Sequence, residues 1–319
     1  MGGEADSQPQ PGSLAARLRC AAGRYPRSFW ALLVAFFIAL VGIDAVWPLM
    51  SMYARAAFGV PLARISFVYT LYALVSGAST LAIGAVVDRF GRKLGILAVF
   101  AGSSAVFFGM SVNHSYGIWT GPMLGQALVW PFPRISSHSM VADWLDHRQR
   151  TAAYGMILFS MSAGGVIGPL LGGFLLERSP SLTFVVAAAI ALAAALIVAF
   201  FVRESHRARR SGSEPRKAQA AIRLLLRDRP FLAFCGIYAV HSICTIMLET
   251  LLPVYANEQH AVPEARVGLI LSVGALMPVF FQYPAARAAS RHDPFRVLTV
   301  GALFAPWRPS RSAALSRAS

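Results

Sequence analysis

The chain has 319 residues, 56% of them hydrophobic and only 13% charged, with a formal net charge of +15. A soluble chain carries about a quarter charged residues, so this composition excludes an ordinary water-soluble domain. The positive excess would suit a nucleic acid, but it is concentrated in alternate connections between apolar runs, and that argues against a nucleic-acid partner.

In chain order, residues 1–28 are rich in Gly, Pro, Ser and Gln and read as a flexible cytoplasmic tail. Apolar runs then begin near Phe29, Ile65, Leu94, Gly117, Ala152, Leu182, Phe231 and Val267. Each reaches the ~20 residues that cross a hydrocarbon core. Lipid-facing backbone must satisfy its own hydrogen bonds, so the runs are helices. The expected fold class is all-α, a polytopic membrane protein with about eight full spans. The first run has full span length and no small-residue cleavage site behind it, so it reads as a permanent helix rather than a signal peptide.

Charge placement gives the topology. Arg17, Arg19, Arg24 and Arg27 precede the first span; Arg89, Arg92 and Lys93 follow the second; Arg148 and Arg150 follow the fourth. Arg203 to Arg229 holds a dense basic stretch after the sixth, and Arg287, Arg291 and Arg296 follow the eighth. The intervening loops hold few cations. Cation-rich short loops stay cytoplasmic, so the N-terminus is expected inside. The excess charge then faces anionic lipid headgroups. Arginine far outnumbers lysine and alanine is abundant, which points to a GC-rich bacterial gene and to a cell inner membrane.

The expected divisions are a bundle of six spans over 29–203, a cytoplasmic linker over 204–229, a second set of spans over 230–305 and an aberrant tail over 306–319. A short amphipathic helix is expected near Ala220 to Leu226. The seventh span echoes the first: Asp44 precedes Pro48 by four residues, as Glu249 precedes Pro253. The apolar run from Val297 to Ala305 spans roughly half of a ~30 Å core. It then gives way to Pro306-Trp-Arg-Pro-Ser, which reads as a C-terminal truncation or frameshift, a natural short variant being the alternative.

Two motifs carry the mechanism. The first is Gly84-Ala-Val-Val-Asp88-Arg89-Phe-Gly91-Arg92-Lys93, a charged turn between two membrane-length runs. The second is Gly164-Gly-Val-Ile-Gly168-Pro169-Leu-Leu-Gly172-Gly173 on the fifth span. Gly164, Gly168 and Gly172 share one helix face and permit close backbone approach in lipid; Pro169 removes a helix hydrogen bond and permits a bend. The first motif resembles the loop signature of the major facilitator superfamily, and the second resembles the antiporter signature of its drug:proton antiporters. The resemblance covers about Phe29 to Ala305. It implies two six-helix bundles, the second incomplete here, working by alternating access, with spans 1, 4, 7 and 10 lining the cavity. It implies that Asp88 caps a helix of the other half and that Arg92 pairs with an acid at the inner end of span 4, for which Asp143 is suited, latching the inner side closed. A solvated turn with weak surface pairs is the plainer reading of those charges. The family's arginine four residues before a glycine on span 4 is missing, since Gly121 stands at that distance from Gly125.

Charge inside the spans is sparse: Asp44, Arg134, His241 and Glu249. Intramembrane charge is costly and defaults to function. Asp44, Glu249 and His241 are therefore proton-coupling candidates, and Arg134 is a cavity candidate. Each has a plainer alternative: a hydrogen bond near Pro48 for Asp44, an interfacial position for Glu249, a packed neutral ring for His241 and a snorkelling side chain for Arg134. Counting along the helices puts Asp44 and Arg134 more than ~10 Å apart in depth, too far for a direct pair.

No phosphate-binding loop, nucleophile elbow or metal-spaced His/Cys cluster occurs. Cys20, Cys235 and Cys244 read as unpaired thiols. No enzyme activity, metal or cofactor is expected. The function expected is proton-coupled efflux of small molecules, the partners being the bilayer, protons and a small-molecule substrate. A proton-coupled importer of the same fold and a non-transporting membrane remnant are the alternatives.

Overall fold

The computed structural model describes residues 23, 25–113, 115–205 and 228–289. Every element among them is a helix. The first span is α1 (Arg27–Val46), one 3₁₀ turn (Trp47–Leu49) and α2 (Met50–Phe58). It is broken because Pro48 has no N–H to close on the Asp44 carbonyl. α2 ends at Gly59, whose φ of 62° is a left-handed helix cap. α3 (Leu62–Phe90) and α4 (Arg92–Val112) are the second and third spans.

The fourth span departs from the single run that its hydropathy suggests. It divides into α5 (Tyr116–Val129) and α6 (Phe132–Trp144) at Trp130–Pro131. Pro131 and Pro133 remove two backbone donors within three residues, which interrupts the helix hydrogen-bond ladder there; Pro133 is tolerated in the first turn of α6. By contrast α7 (His147–Arg178) runs on through Pro169, and α9 (Arg229–His260) through Pro253. Between them lies α8 (Pro180–Phe201), opened by proline at its first position with the Ser179 hydroxyl accepting from the Leu182 N–H. α10 (Glu264–Ala289) is the eighth span.

Among the described residues, six segments are long and apolar enough to cross a membrane: Arg27–Phe58, Leu62–Thr80, Arg92–Val112, Gln149–Arg178, Pro180–Phe201 and Glu264–Phe281. The divided fourth segment and α9 stand where the other two expected spans fall in the sequence. The chain is thus an all-α, multi-pass membrane protein. Phe67, Phe108, Phe200 and Phe280 are more than half exposed on its outside, which suits a surface solvated by lipid.

α1 runs through the centre. It packs on α7 and α8, while α4 packs on α8. Its buried Phe29, Leu32, Phe36, Ala39 and Ile43 recur at helical spacing, and Phe36 meets Phe100 edge to face at 5.6 Å. Since lipid offers no hydrophobic drive, helix association relies on close packing and interhelical hydrogen bonds. The Ser160 hydroxyl donates to the Leu33 carbonyl at 2.5 Å, Ser104 to Ala188 at 2.8 Å, and the Gln126 amide to Ser103 Oγ at 2.5 Å.

The tail over 1–22, the linker over 206–227 with its expected amphipathic helix, the run Val297 to Ala305 and the tail over 306–319 lie outside the described residues.

Candidate functional site: a cavity at two helix breaks and contacts at both ends

The breaks in spans 1 and 4 face each other. Trp47, in the 3₁₀ turn, stacks on Trp130, at the end of α5, with ring planes 7° apart and centroids 6.4 Å apart. Trp47 also meets Tyr69 at 5.5 Å and Tyr72 at 4.7 Å, both from α3. Beside this aromatic cluster lies a half-open cavity of about 790 Å³. Its walls are Phe36, Leu40 and Ile43 of α1, Thr80 of α3, Phe100 of α4, Met161 of α7, and Trp130, Pro131, Pro133, Arg134, Ile135, His138 and Ser139 around the break and along α6. Arg134 and His138 stand one helical turn apart and so share a face, and both line the cavity. The His138 ring lies on Tyr154 at 4.6 Å. The Arg134 guanidinium has no hydrogen bond or ion pair among the described residues. Sequence reading singled out Arg134 and missed His138, although the four-residue spacing on one helix was a usable signal.

One end of the bundle is built around Arg92. Gly91 has φ of 94° and lets the chain pass from α3 into α4. The Glu204 carboxylate, just past α8, accepts from the backbone N–H groups of Arg92 at 3.2 Å and Lys93 at 3.1 Å. A Cβ at Gly91 would lie 2.8 Å from Glu204 Oε2, a side-chain end that can shift, so it is the positive φ that favours glycine here. Arg92 Nη1 donates to Asp143 Oδ2 and, at 2.9 Å, to the Ser139 carbonyl. The Lys93 ammonium donates to the Ala199 carbonyl at 2.6 Å. No sequence pattern pointed to Glu204. Gly84, Asp88 and Arg89 fall within α3, but their side chains lie outside the described set.

The glycine motif of α7 uses two faces. A Cβ at Gly164 would lie 2.7 Å from the Phe37 carbonyl oxygen and one at Gly168 2.8 Å from the Asp44 Cβ; Gly172 is closed off by the Ala45 carbonyl. That face holds α1. Gly173 looks the other way, where an added Cβ would lie 2.5 Å from the Glu264 carbonyl oxygen and 3.0 Å from the Gly268 Cα. That face holds α10, with the Pro169 carbonyl closing on Gly268. Asp44 is half-buried and its Oδ2 lies beside Gly165. It sits against the glycine motif and outside the cavity lining that contains Arg134.

At the opposite end, the first span meets the seventh. Ser51 Oγ donates to the Thr250 carbonyl at 2.7 Å in a buried contact. Arg55 Nε pairs with Glu258 Oε1 at 2.6 Å. Leu49, Met52, Val254 and Val267 pack together beneath them. The side chains of His241 and Glu249, both on α9, lie outside the described set. The described residues hold no group of His, Cys, Asp or Glu arranged for a metal ion.

The described residues thus form a multi-pass helical bundle with a cavity where two helix breaks meet. The chain belongs to the Major Facilitator Superfamily, whose family model matches residues 32–305. It is 26% identical over 263 residues to multidrug resistance protein 2 of Bacillus subtilis (strain 168), an alignment covering 80% of this chain and 64% of that protein. It is also 26% identical over 260 residues to multidrug resistance protein MdtH of Klebsiella pneumoniae (strain 342), covering 80% and 62%. The chain therefore spans a little under two thirds of the length of these curated relatives. Among solved structures it resembles a bacterial homologue of the human lysosomal transporter Spinster in an inward-facing, unoccupied conformation, with a TM-score of 0.68 at 16% identity, covering 84% of this chain and 63% of that one.

Proposed function

We propose that this chain acts in proton-coupled efflux of small molecules across a bacterial inner membrane, by alternating access. The observation that carries the reading is the cavity of about 790 Å³ where the broken spans 1 and 4 meet. Transporter sites lie near the bilayer midplane at discontinuous helices. At ~1.5 Å per residue, Arg134 is roughly 15 Å from the Trp144 end of its span, close to mid-membrane. The multidrug relatives support export over import.

Cation placement assigns the Arg92 end to the cytoplasm. The Arg92–Asp143 pair and the Glu204 cap then brace the inner end of the first bundle. The Ser51–Thr250 and Arg55–Glu258 contacts and the Gly173–Gly268 crossing join the two halves at the outer end. Release of cargo outward requires those outer contacts to part while inner contacts form. Asp44 is the first candidate for the proton-linked acid, with Glu249 and His241 behind it. Asp44 lies where span 1 meets the glycine motif, so a change in its charge acts on a helix contact near the outer closure. Charging it biases one state over the other only through that differential interaction.

Proteoliposomes holding the chain and acidified inside test this. The probe is a naphthalene carrying a permanent charge. Expected is probe accumulation that stops when a protonophore collapses the gradient. Accumulation that persists without the gradient, or none with it, overturns proton-coupled export. Accumulation only with the reversed gradient establishes the importer instead.

A further inference from the structure

We propose that the cargo of this cavity is an amphipathic organic anion with a flat apolar body. The inference rests on the reading of the cavity as the cargo site. Arg134 and His138 are the titratable side chains in its lining, and no described lining residue is acidic. Arginine stays protonated under all physiological conditions, and a lone cation at mid-membrane is costly. The guanidinium has no anionic partner among the described residues. The nearby described acids are placed elsewhere: Asp143 is held by Arg92, and Asp44 lies against the glycines of α7.

Arg134 and His138 are exposed to the half-open cavity, so a cation entering this space would meet like charge. An anion would gain a charge-assisted, forked hydrogen bond from Arg134, with His138 one turn away on the same face. The rest of the wall suits the body of such a molecule. Phe36, Phe100 and Trp130 offer aromatic surface and Met161 an adaptable side chain. The volume falls within the ~300–1,000 Å³ typical of sites for drug-sized ligands.

The test measures equilibrium binding to the full chain in nanodiscs. The three probes share one ring system: naphthalene-2-sulfonate, naphthalen-2-ylmethanol and trimethyl(naphthalen-2-ylmethyl)ammonium. Expected is the order anion, neutral, cation, with at least about tenfold between the first and the last, as one charge-assisted hydrogen bond provides. Arg134→Gln should bring the anion down to the level of the alcohol, and Arg134→Lys should keep the order. Arg178→Gln, which removes a cation lying over Phe174 away from the cavity, should leave the ranking as it was. A cation that binds as tightly as the anion, or an anion preference that survives Arg134→Gln, overturns the inference alone and leaves transport standing. Failure of all three probes to bind overturns the inference together with the cavity as the cargo site. Because the wild-type ranking needs no variant, an unstable substitution does not remove the test.

Discussion

Arg55 on α2 and Glu258 on α9 are joined Nε to Oε1 at 2.6 Å, tying the end of the first span to the end of the seventh. Their side chains are 36% and 38% exposed, so water screens the pair and it is worth at most about 1 kcal/mol. A double-mutant cycle of Arg55→Ala and Glu258→Ala, read by equilibrium unfolding in mixed micelles, should give a small favourable coupling. A coupling of zero would mean that the pair does not help hold this end together. The buried Ser51–Thr250 hydrogen bond beside it is the stronger constraint, because no water competes for it.

The Gly173–Gly268 crossing should be intolerant of even one methyl group. Gly173→Ala presses a methyl group onto the backbone of α10, and overpacking of this kind costs about 1–3 kcal/mol. Gly121 has nothing within 4 Å of an added Cβ. Gly121→Ala should therefore be neutral or raise stability by up to about 1 kcal/mol through helix propensity. Unfolding midpoints of the two variants check this; equal effects would remove the close crossing from the account.

At the Arg92 end, Glu204→Ala strips the partner from two N–H groups that open α4. Loss of a helix cap of this type costs about 0.5–2 kcal/mol. Arg92→Ala should in addition depress transport at unchanged membrane level, since it releases Asp143 and the Ser139 carbonyl together. Asp88→Asn is expected to act in the same direction. Transport equal to wild type at equal surface level in both of the latter variants would take the latch out of the mechanism.

Asp44→Asn should abolish probe accumulation driven by a proton gradient while leaving binding of the probe in nanodiscs. The carboxyl lies outside the cavity lining, so binding and coupling are separable there. Persistence of proton-driven accumulation in both Asp44→Asn and Glu249→Gln would show that the coupling acid is another residue.

The sequence by itself determined the membrane class, the helical fold and the positions of the spans, because span length and the exclusion of charge from lipid are properties of a segment alone. It also marked the loop and glycine motifs through which the family is legible. What it could not contain is which segments touch. Nothing local to Gly164–Gly173 says that one face of the stripe holds α1 while Gly173 turns to α10. Nothing near Glu204 says that it closes on the start of a helix 112 residues earlier in the chain. Arg92 and Asp143 were each nameable, but their contact depends on how α4 packs against α6. The fourth span read as a single run in the sequence, and neither its break at Pro131 nor the meeting of that break with the one at Pro48 through Trp47 and Trp130 was foreseen. Such contacts are set by helix packing in three dimensions, and the cavity that gathers Arg134 and His138 exists only once that packing is made.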